Sequence, residues 1–265
     1  MHDFADFVLK PCIRQFGYVR ILEIGAQYGE NTDELAELPS VHVTVIDPCV
    51  DADLCARHAG NNRIAIRKGL SLDVLPDLTQ PFDCILIDGD HNWYTVYNEL
   101  RIIRERELLL RGGAIFLHDT WWPYGRRDGY YAPDRIPAQY RQPFAYQGIV
   151  RGQSALSESE GVNAQIANAT HEGGPRNGVL TAVEDFLHEY DHKYLFFNLR
   201  LQYGLGTLYR RRDRECDSAF SEFHRDIQWR LRVGRVKDFV RAMSPSIYTA
   251  ARRIAKTLRG ERPRE

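Results

Sequence analysis

The sequence predicts an α/β fold: a mostly parallel sheet of seven strands, helices on both faces and a final antiparallel hairpin. Three observations lead there. Apolar runs of strand length alternate with helical patterns through the first 120 residues. These runs are apolar at consecutive positions, which marks strands covered on both faces and therefore a parallel sheet. Much later, two further runs flank a short turn at Gly204 to Gly206, the pattern of a hairpin.

The elements follow in order. "YVRILEIG" supplies the first strand, over 19–24. "NTDELAEL" reads as a helix, with Asn31 or Thr32 as its cap, because short polar side chains accept from the free N–H groups at a helix start. "VHVTVID" is the second strand and "DADLCARHA" a helix; "RIAIRKG" is the third strand and "SLDVLPDL" a short helical turn. "FDCILID" is the fourth strand. "YTVYNELRIIRERELLL" reads as a long amphipathic helix with Val96, Leu100, Ile103 and Leu110 on its apolar side. "GGAIFLHD" is the fifth strand. After Asp119 the rhythm stops, to resume with the helix "VLTAVEDFLHEY" and the hairpin "KYLFFNLRLQYGLGTLYRR". The stretch 120–178 carries Trp121, Trp122, Tyr124, Tyr130, Tyr131 and Tyr140. A segment this long without a period points to a functional insertion, here a lid on the acceptor side, and its aromatics argue against disorder. The main domain is expected to span 1–212, with 213–265 a basic helical extension.

Composition excludes several classes. Apolar residues make up 43% of 265, as in a globular protein, and the net charge of −1 creates no field that would gather nucleic acid. No run approaches the ~18 apolar residues of a membrane span. The start "MHDFADFVLK" lacks the pattern of a secretion signal. Five cysteines, with no CxxC pair, read as reduced thiols of a cytoplasmic protein.

"ILEIGAQYGENT" places Glu23, Gly25, Ala26 and Gly29 where a strand crosses into a helix. Glycines there allow a tight turn and close approach to a ligand. A dinucleotide site would use G-x-G-x-x-G, whereas Gln27 and Tyr28 stand where further glycines would fall, which argues against NAD. Asp47 ends the second strand, 24 residues after Glu23, where a carboxylate can accept both hydroxyls of a ribose. The spacing E-x-G-x-x-x-G resembles motif I of class I S-adenosylmethionine (SAM) methyltransferases, whose sheet is Rossmann-like. That resemblance implies SAM as cofactor. It also implies an adenine edge near Gly69, Leu70 and Ser71, and cofactor contacts from Glu23, Gly25, Ala26, Gly29, Asp47, Ser71 and Asp88.

Asp88 and His91 follow the fourth strand, and His118 and Asp119 end the fifth. In an open α/β sheet ligands sit beyond the carboxyl ends of the strands, so both clusters reach one pocket. Two carboxylates with imidazoles suit a hard divalent ion. Such an ion acidifies a bound hydroxyl, and His91 is placed to act as general base. "LIDGDHNWYTVYNEL…LLRGGAIFLHDT" resembles the metal-dependent sugar O-methyltransferases of the macrocin and mycinamicin type and their cephalosporin-hydroxylase-like relatives. That resemblance implies Mg²⁺, or another divalent metal, on Asp88, His118 and Asp119, with His91 or His118 as base. His118 departs from it, since close relatives carry an acid there, and a histidine favours softer ions.

The aromatics of the insertion, with Arg126, Arg127 and Asp128, suit a sugar acceptor. The tail "SPSIYTAARRIAKTLRGERPRE" sets Ile247, Ala251, Ile254 and Leu258 on one stripe and its arginines off it, the pattern of a helix lying on a membrane surface or a partner. The expectation is a cytoplasmic, SAM-dependent, divalent-metal-dependent O-methyltransferase. Its acceptor would be a sugar hydroxyl of a glycosylated natural product or surface glycan. Peripheral membrane contact through the tail and self-association are open to it. The alternatives are a hydroxylase-like metalloenzyme on the same fold and a non-catalytic SAM-binding subunit of a biosynthetic complex.

Overall fold

The computed structural model describes residues 1–243. Its main sheet is built from β1 (Arg20–Ile24), β2 (His42–Asp47), β3 (Ile64–Lys68), β4 (Phe82–Ile87) and β5 (Leu109–His118). The insertion contributes the short strands β6 (Gly129–Tyr130), β7 (Phe144–Ala145) and β8 (Ala167–Ala169), and the hairpin β9 (Tyr194–Leu199) and β10 (Leu205–Arg210). The helices are α1 (Lys10–Phe16), α2 (Glu30–Ala36), α3 (Ala52–Arg57), α4 (Ser71–Val74), α5 (Trp93–Glu105), α6 (Val179–Tyr190) and α7 (Arg214–Met243). The seven strands run in the order β3-β2-β1-β4-β5-β10-β9, parallel from β3 to β5 and antiparallel through the hairpin. This is the expected Rossmann-like sheet. The chain order reverses between β1 and β4, where such folds open a crevice for ligands.

Side-chain alternation explains why the strands are apolar on both faces. Leu22, Ile24, Ile85, Ile87, Ile115 and Leu117 join Val96, Leu100 and Ile103 of α5 and Val183 and Phe186 of α6 in one buried cluster. On the other face, fully buried Ile21, Cys84 and Phe116 alternate with them. Truncating a fully buried residue such as Leu100 to Ala should cost about 2–5 kcal/mol.

Three local expectations are corrected. Neither Asn31 nor Thr32 caps α2; Gly29 does, in the left-handed region at φ 83°, and both polar residues lie buried inside the helix. The helix read through Leu110 ends at Glu105, because Glu107 turns the chain at φ 53° and residues from Leu109 pair in β5. The hairpin turn lies at 200–204, so Gly206 belongs to β10 and pairs with Leu117 and Asn198. Residues 2–16, for which the sequence suggested no element, are helical, a 3₁₀ turn, a π turn and α1 in succession, with Phe4, Val8 and Cys12 fully buried.

The insertion is ordered around the small antiparallel sheet β6-β8-β7 and its own cluster of Tyr130, Ile136 and Ala167. Asp128 ties it to the main domain. Its carboxylate accepts from Trp93 N at 2.7 Å, Gly178 N at 2.6 Å and the Tyr130 hydroxyl at 2.7 Å, so one side chain fixes the starts of both α5 and α6.

Packing separates a unit of Met1–Ser218 from one beginning at Ala219. Within the second, the rings of Phe220 and His224 lie 5.0 Å apart on α7. The basic stripe from Ile247 to Leu258 lies outside the described residues. Among the described residues no helix is long and apolar enough to cross a membrane.

Candidate active site at the carboxyl ends of the strands

The turn after β1 touches the turn after β4. Gly25 makes this contact possible: at φ 84°, a Cβ there would stand 2.4 Å from Gly89 Cα and 2.5 Å from the Asp88 carbonyl. Gly25 and Ala26 line a cavity of about 590 Å³ that also reaches Asp88, His91, His118 and Asp119. That volume suits a drug-sized ligand.

The other predicted cofactor residues are placed differently. Glu23 is 1% exposed beneath the turn, and accepts a 2.6 Å hydrogen bond from Thr32 Oγ1. Burial pushes its pKa up to about 8, with Thr32 opposing and the charge of Asp88 adding to the rise. Asp47 is fully engaged by backbone: Oδ2 accepts from Ala26 N and Gln27 N, both at 2.8 Å, and Oδ1 from Cys49 N at 2.6 Å. Asp47 therefore sets the shape of the β1 turn. Gly29 packs against Leu54 and Ser71 opens α4; neither lines the cavity.

Across the crevice, the two strand-end clusters converge. His118 Nδ1 lies 3.0 Å from Asp88 Oδ1 and 2.8 Å from Asp119 Oδ2, bridging the carboxylates. His91 Nδ1 lies 3.3 Å from the same Asp119 oxygen. Asp119 holds this position from the left-handed region, at φ 58°. Burial opposes charge on His118, but Asp88 and Asp119 around it raise its pKa to about 9. Burial likewise opposes charge on Asp88, yet His118 beside it holds its pKa down at about 2. The α-amino group of Met1 lies 2.6 Å from the other Asp88 oxygen. Asp90, by contrast, is occupied at the start of α5, accepting from Asn92 Nδ2 and Thr95 Oγ1.

One ligand atom each from Asp88, His91 and Asp119 falls within 4.8 Å of the others, a set fit for a divalent ion. His118, expected as a further ligand, lies beside this set, with its Nδ1 facing both carboxylates.

The insertion completes the site. The Tyr124 ring stacks on His91 at 5.2 Å and 13°, and the Tyr131 hydroxyl meets His91 Nε2 at 3.0 Å. Asn163 and Gln165 of the insertion, and Tyr203 of the β9–β10 turn, line the same cavity. The sequence showed these aromatics without showing which of them reach the histidine. The charges expected to meet a sugar do not line the cavity. Arg126 pairs with Glu184 at 2.6 Å, Arg127 donates to the Ala169 and Ser154 carbonyls, and Asp128 is the tie described above. Met1 and His2 also line the cavity, which no motif in the sequence indicated.

A family model described as a methyltransferase domain matches residues 22–120, the stretch that carries β1 to β5 and both clusters. Residues 22–120 are thus similar to a methyltransferase domain. Among solved structures, the SAH-bound methyltransferase PaMTH1 of Podospora anserina shares the methyltransferase fold. It is 14% identical over 76% of this chain and 75% of that one, with a TM-score of 0.50. The O-methyltransferase of Bacillus cereus in complex with SAH is 16% identical over 79% and 80% of the two chains, with a TM-score of 0.46. No curated protein matches the chain.

Proposed function

We propose that this methyltransferase domain transfers the methyl group of SAM to a hydroxyl oxygen, and that Asp88, His91 and Asp119 hold a divalent metal ion for it. The observation that carries the reading is the convergence of those three donors within 4.8 Å, in a cavity shared with the β1 turn. A bound ion would lower the pKa of a coordinated hydroxyl. The chain's own residues supply the rest. The β1 turn, shaped by Asp47, receives the cofactor, and Tyr124 holds the His91 ring by stacking. In the reaction the bond from methyl carbon to sulfur breaks as the bond to oxygen forms; the sulfonium loses its charge, and the hydroxyl proton passes to solvent water.

The acceptor class that fits is a sugar, in a glycosylated natural product or a surface glycan, as in the macrocin-type enzymes the sequence resembles. Its apolar faces would lie on Tyr124, Tyr131 and Tyr203, while Asn163 and Gln165 offer hydrogen bonds to its hydroxyls.

A second reading rests on the Tyr131 contact. His91 Nε2 already meets a hydroxyl, while Nδ1 faces Asp119. A carboxylate that fixes the tautomer and an imidazole that takes a hydroxyl proton make a general-base pair without a metal. Methyl transfer from labelled SAM to a panel of glycosides, with and without chelator, tests both. Turnover lost in chelator and restored by Mg²⁺ or Mn²⁺ supports the metal. Full turnover in chelator, with no metal found by elemental analysis, replaces it with the His91–Asp119 pair. No methyl transfer to any hydroxyl overturns both readings.

A further inference from the structure

The insertion holds a second cavity, of about 270 Å³, between residues 139–142 and 173–176. Two arginines line it, Arg141 and Arg176, and no carboxylate does. Gln142 joins the two walls: its Nε2 donates to the Pro175 carbonyl at 3.1 Å and to the Arg176 carbonyl at 2.9 Å. The cavity therefore has a fixed width.

Arg176 is held in an unusual way. Its backbone sits in the left-handed region at φ 54°. Its guanidinium lies over two rings, 5.4 Å from Trp93 and 5.2 Å from Tyr140, which themselves stack at 5.9 Å. Among the described residues no hydrogen bond or ion pair engages that guanidinium. Aromatic faces orient a cation but use none of its N–H donors. One nearby carboxylate is taken, and the other pairs with Arg141 from solvent. Asp185 accepts from Trp93 Nε1 at 2.7 Å, and Asp134, fully exposed, stands 3.4 Å from Arg141 Nη1. That same Arg141 nitrogen donates to the Pro133 carbonyl at 2.9 Å, which leaves its remaining donors for a ligand.

We propose that this cavity binds a phosphate group. Two planar forks with no acid between them suit an oxyanion. A tetrahedral phosphate brings more charge and a third oxygen out of plane to the two forks, whereas a carboxylate offers two oxygens in one plane. Trp93 places the cavity at the start of α5, two residues beyond His91. The proposal concerns binding alone, and stands whether or not the methyl-transfer reading does.

The test is calorimetry on the full chain, with inorganic phosphate, pyrophosphate and acetate titrated separately at fixed ionic strength. Saturable binding of both phosphates is expected, with acetate at least tenfold weaker. Arg176→Gln should weaken phosphate binding at least tenfold, and Arg176→Lys, which keeps the charge but not the fork, by less. Adding Arg141→Gln to Arg176→Gln should abolish it. Arg176 is exposed and its side chain makes no hydrogen bond, so an unchanged Tm is expected for its variants, and they suffice if the double variant unfolds. An NMR shift of the Trp93 indole N–H on titration gives a second readout. No saturable phosphate binding, affinity unchanged in Arg176→Gln, or acetate binding as tightly as phosphate would each overturn the proposal.

Discussion

Asp47 and Asp88 stand at equivalent places, one the last residue of β2 and the other the first after β4, yet the fold uses them in opposite ways. Asp47 gives both oxygens to three backbone N–H groups of its own neighbourhood. Asp88 keeps its oxygens on the cavity, against His118 and the Met1 amino group. Glu23 and Asp119 divide the same way, one buried on Thr32 and the other shared by two imidazoles. A strand end supplies a carboxylate in every case. What the adjoining loop offers decides whether it shapes backbone or meets a ligand. The acids of β1 and β2 are wiring; those following β4 and β5 face the cavity.

The comparison can be broken from either side. The largest effect belongs to His91→Ala, which removes the side chain that touches both Asp119 and the Tyr131 hydroxyl. Its single-turnover rate should fall by about 10²–10⁴-fold, while SAM affinity measured by calorimetry stays unchanged. Metal content of the variant sharpens the result: retained metal makes His91 a base, and lost metal makes it a ligand. A rate within threefold of the parent would move the chemistry away from this side.

Asp47→Ala comes next. Three N–H groups lose their acceptor, so unfolding in urea should report a loss of about 2–3 kcal/mol. Weaker SAM binding with full stability would contradict the wiring role and return Asp47 to the ribose contact expected from the sequence.

Thr32→Val should cost about 1–2 kcal/mol, because a buried Glu23 oxygen loses its donor. An unchanged unfolding midpoint would show that Thr32 does not hold Glu23.

The last effect is a slope, spread over several pH units. Burial holds the Glu23 pKa at about 8, above its ordinary 4.5. The folded chain therefore keeps a proton that the unfolded chain has released, and this contribution to stability is lost as pH rises from 4.5 through 8. In Glu23→Gln that loss should be absent, so its stability relative to the parent should rise across the same window. Parallel stability curves for the two proteins would show that Glu23 titrates normally.

Periodicity made the sheet legible, because each core strand is a run too apolar for any place but the interior. The strand-end clusters were legible for the same reason: Asp88 to His91 and His118–Asp119 interrupt such runs abruptly. Element ends were not. Leu110 fits a helical stripe and a strand equally well, and the positive φ of Glu107 that separates them has no signature in its side chain. The segment 120–178 resisted reading because its order comes from single long-range ties such as Asp128 to Trp93 and Gly178, not from a repeating pattern.

The sequence by itself determined the order of strands and helices, the turn after β1 and the presence of acids and imidazoles at two strand ends. Those are consequences of local spacing and of apolar periodicity, which act over a few residues. Only the tertiary structure decided which carboxylates remain available. Asp47 is taken by N–H groups 20 and 21 residues earlier in the chain. His118 comes to bridge Asp88 and Asp119 because β4 and β5 are neighbours in register, with Ile87 beside Leu117. Tyr131 reaches His91 from 40 residues away because the insertion folds back over the strand ends. Hydrogen bonds of that range depend on where the backbone runs, and no local pattern encodes them.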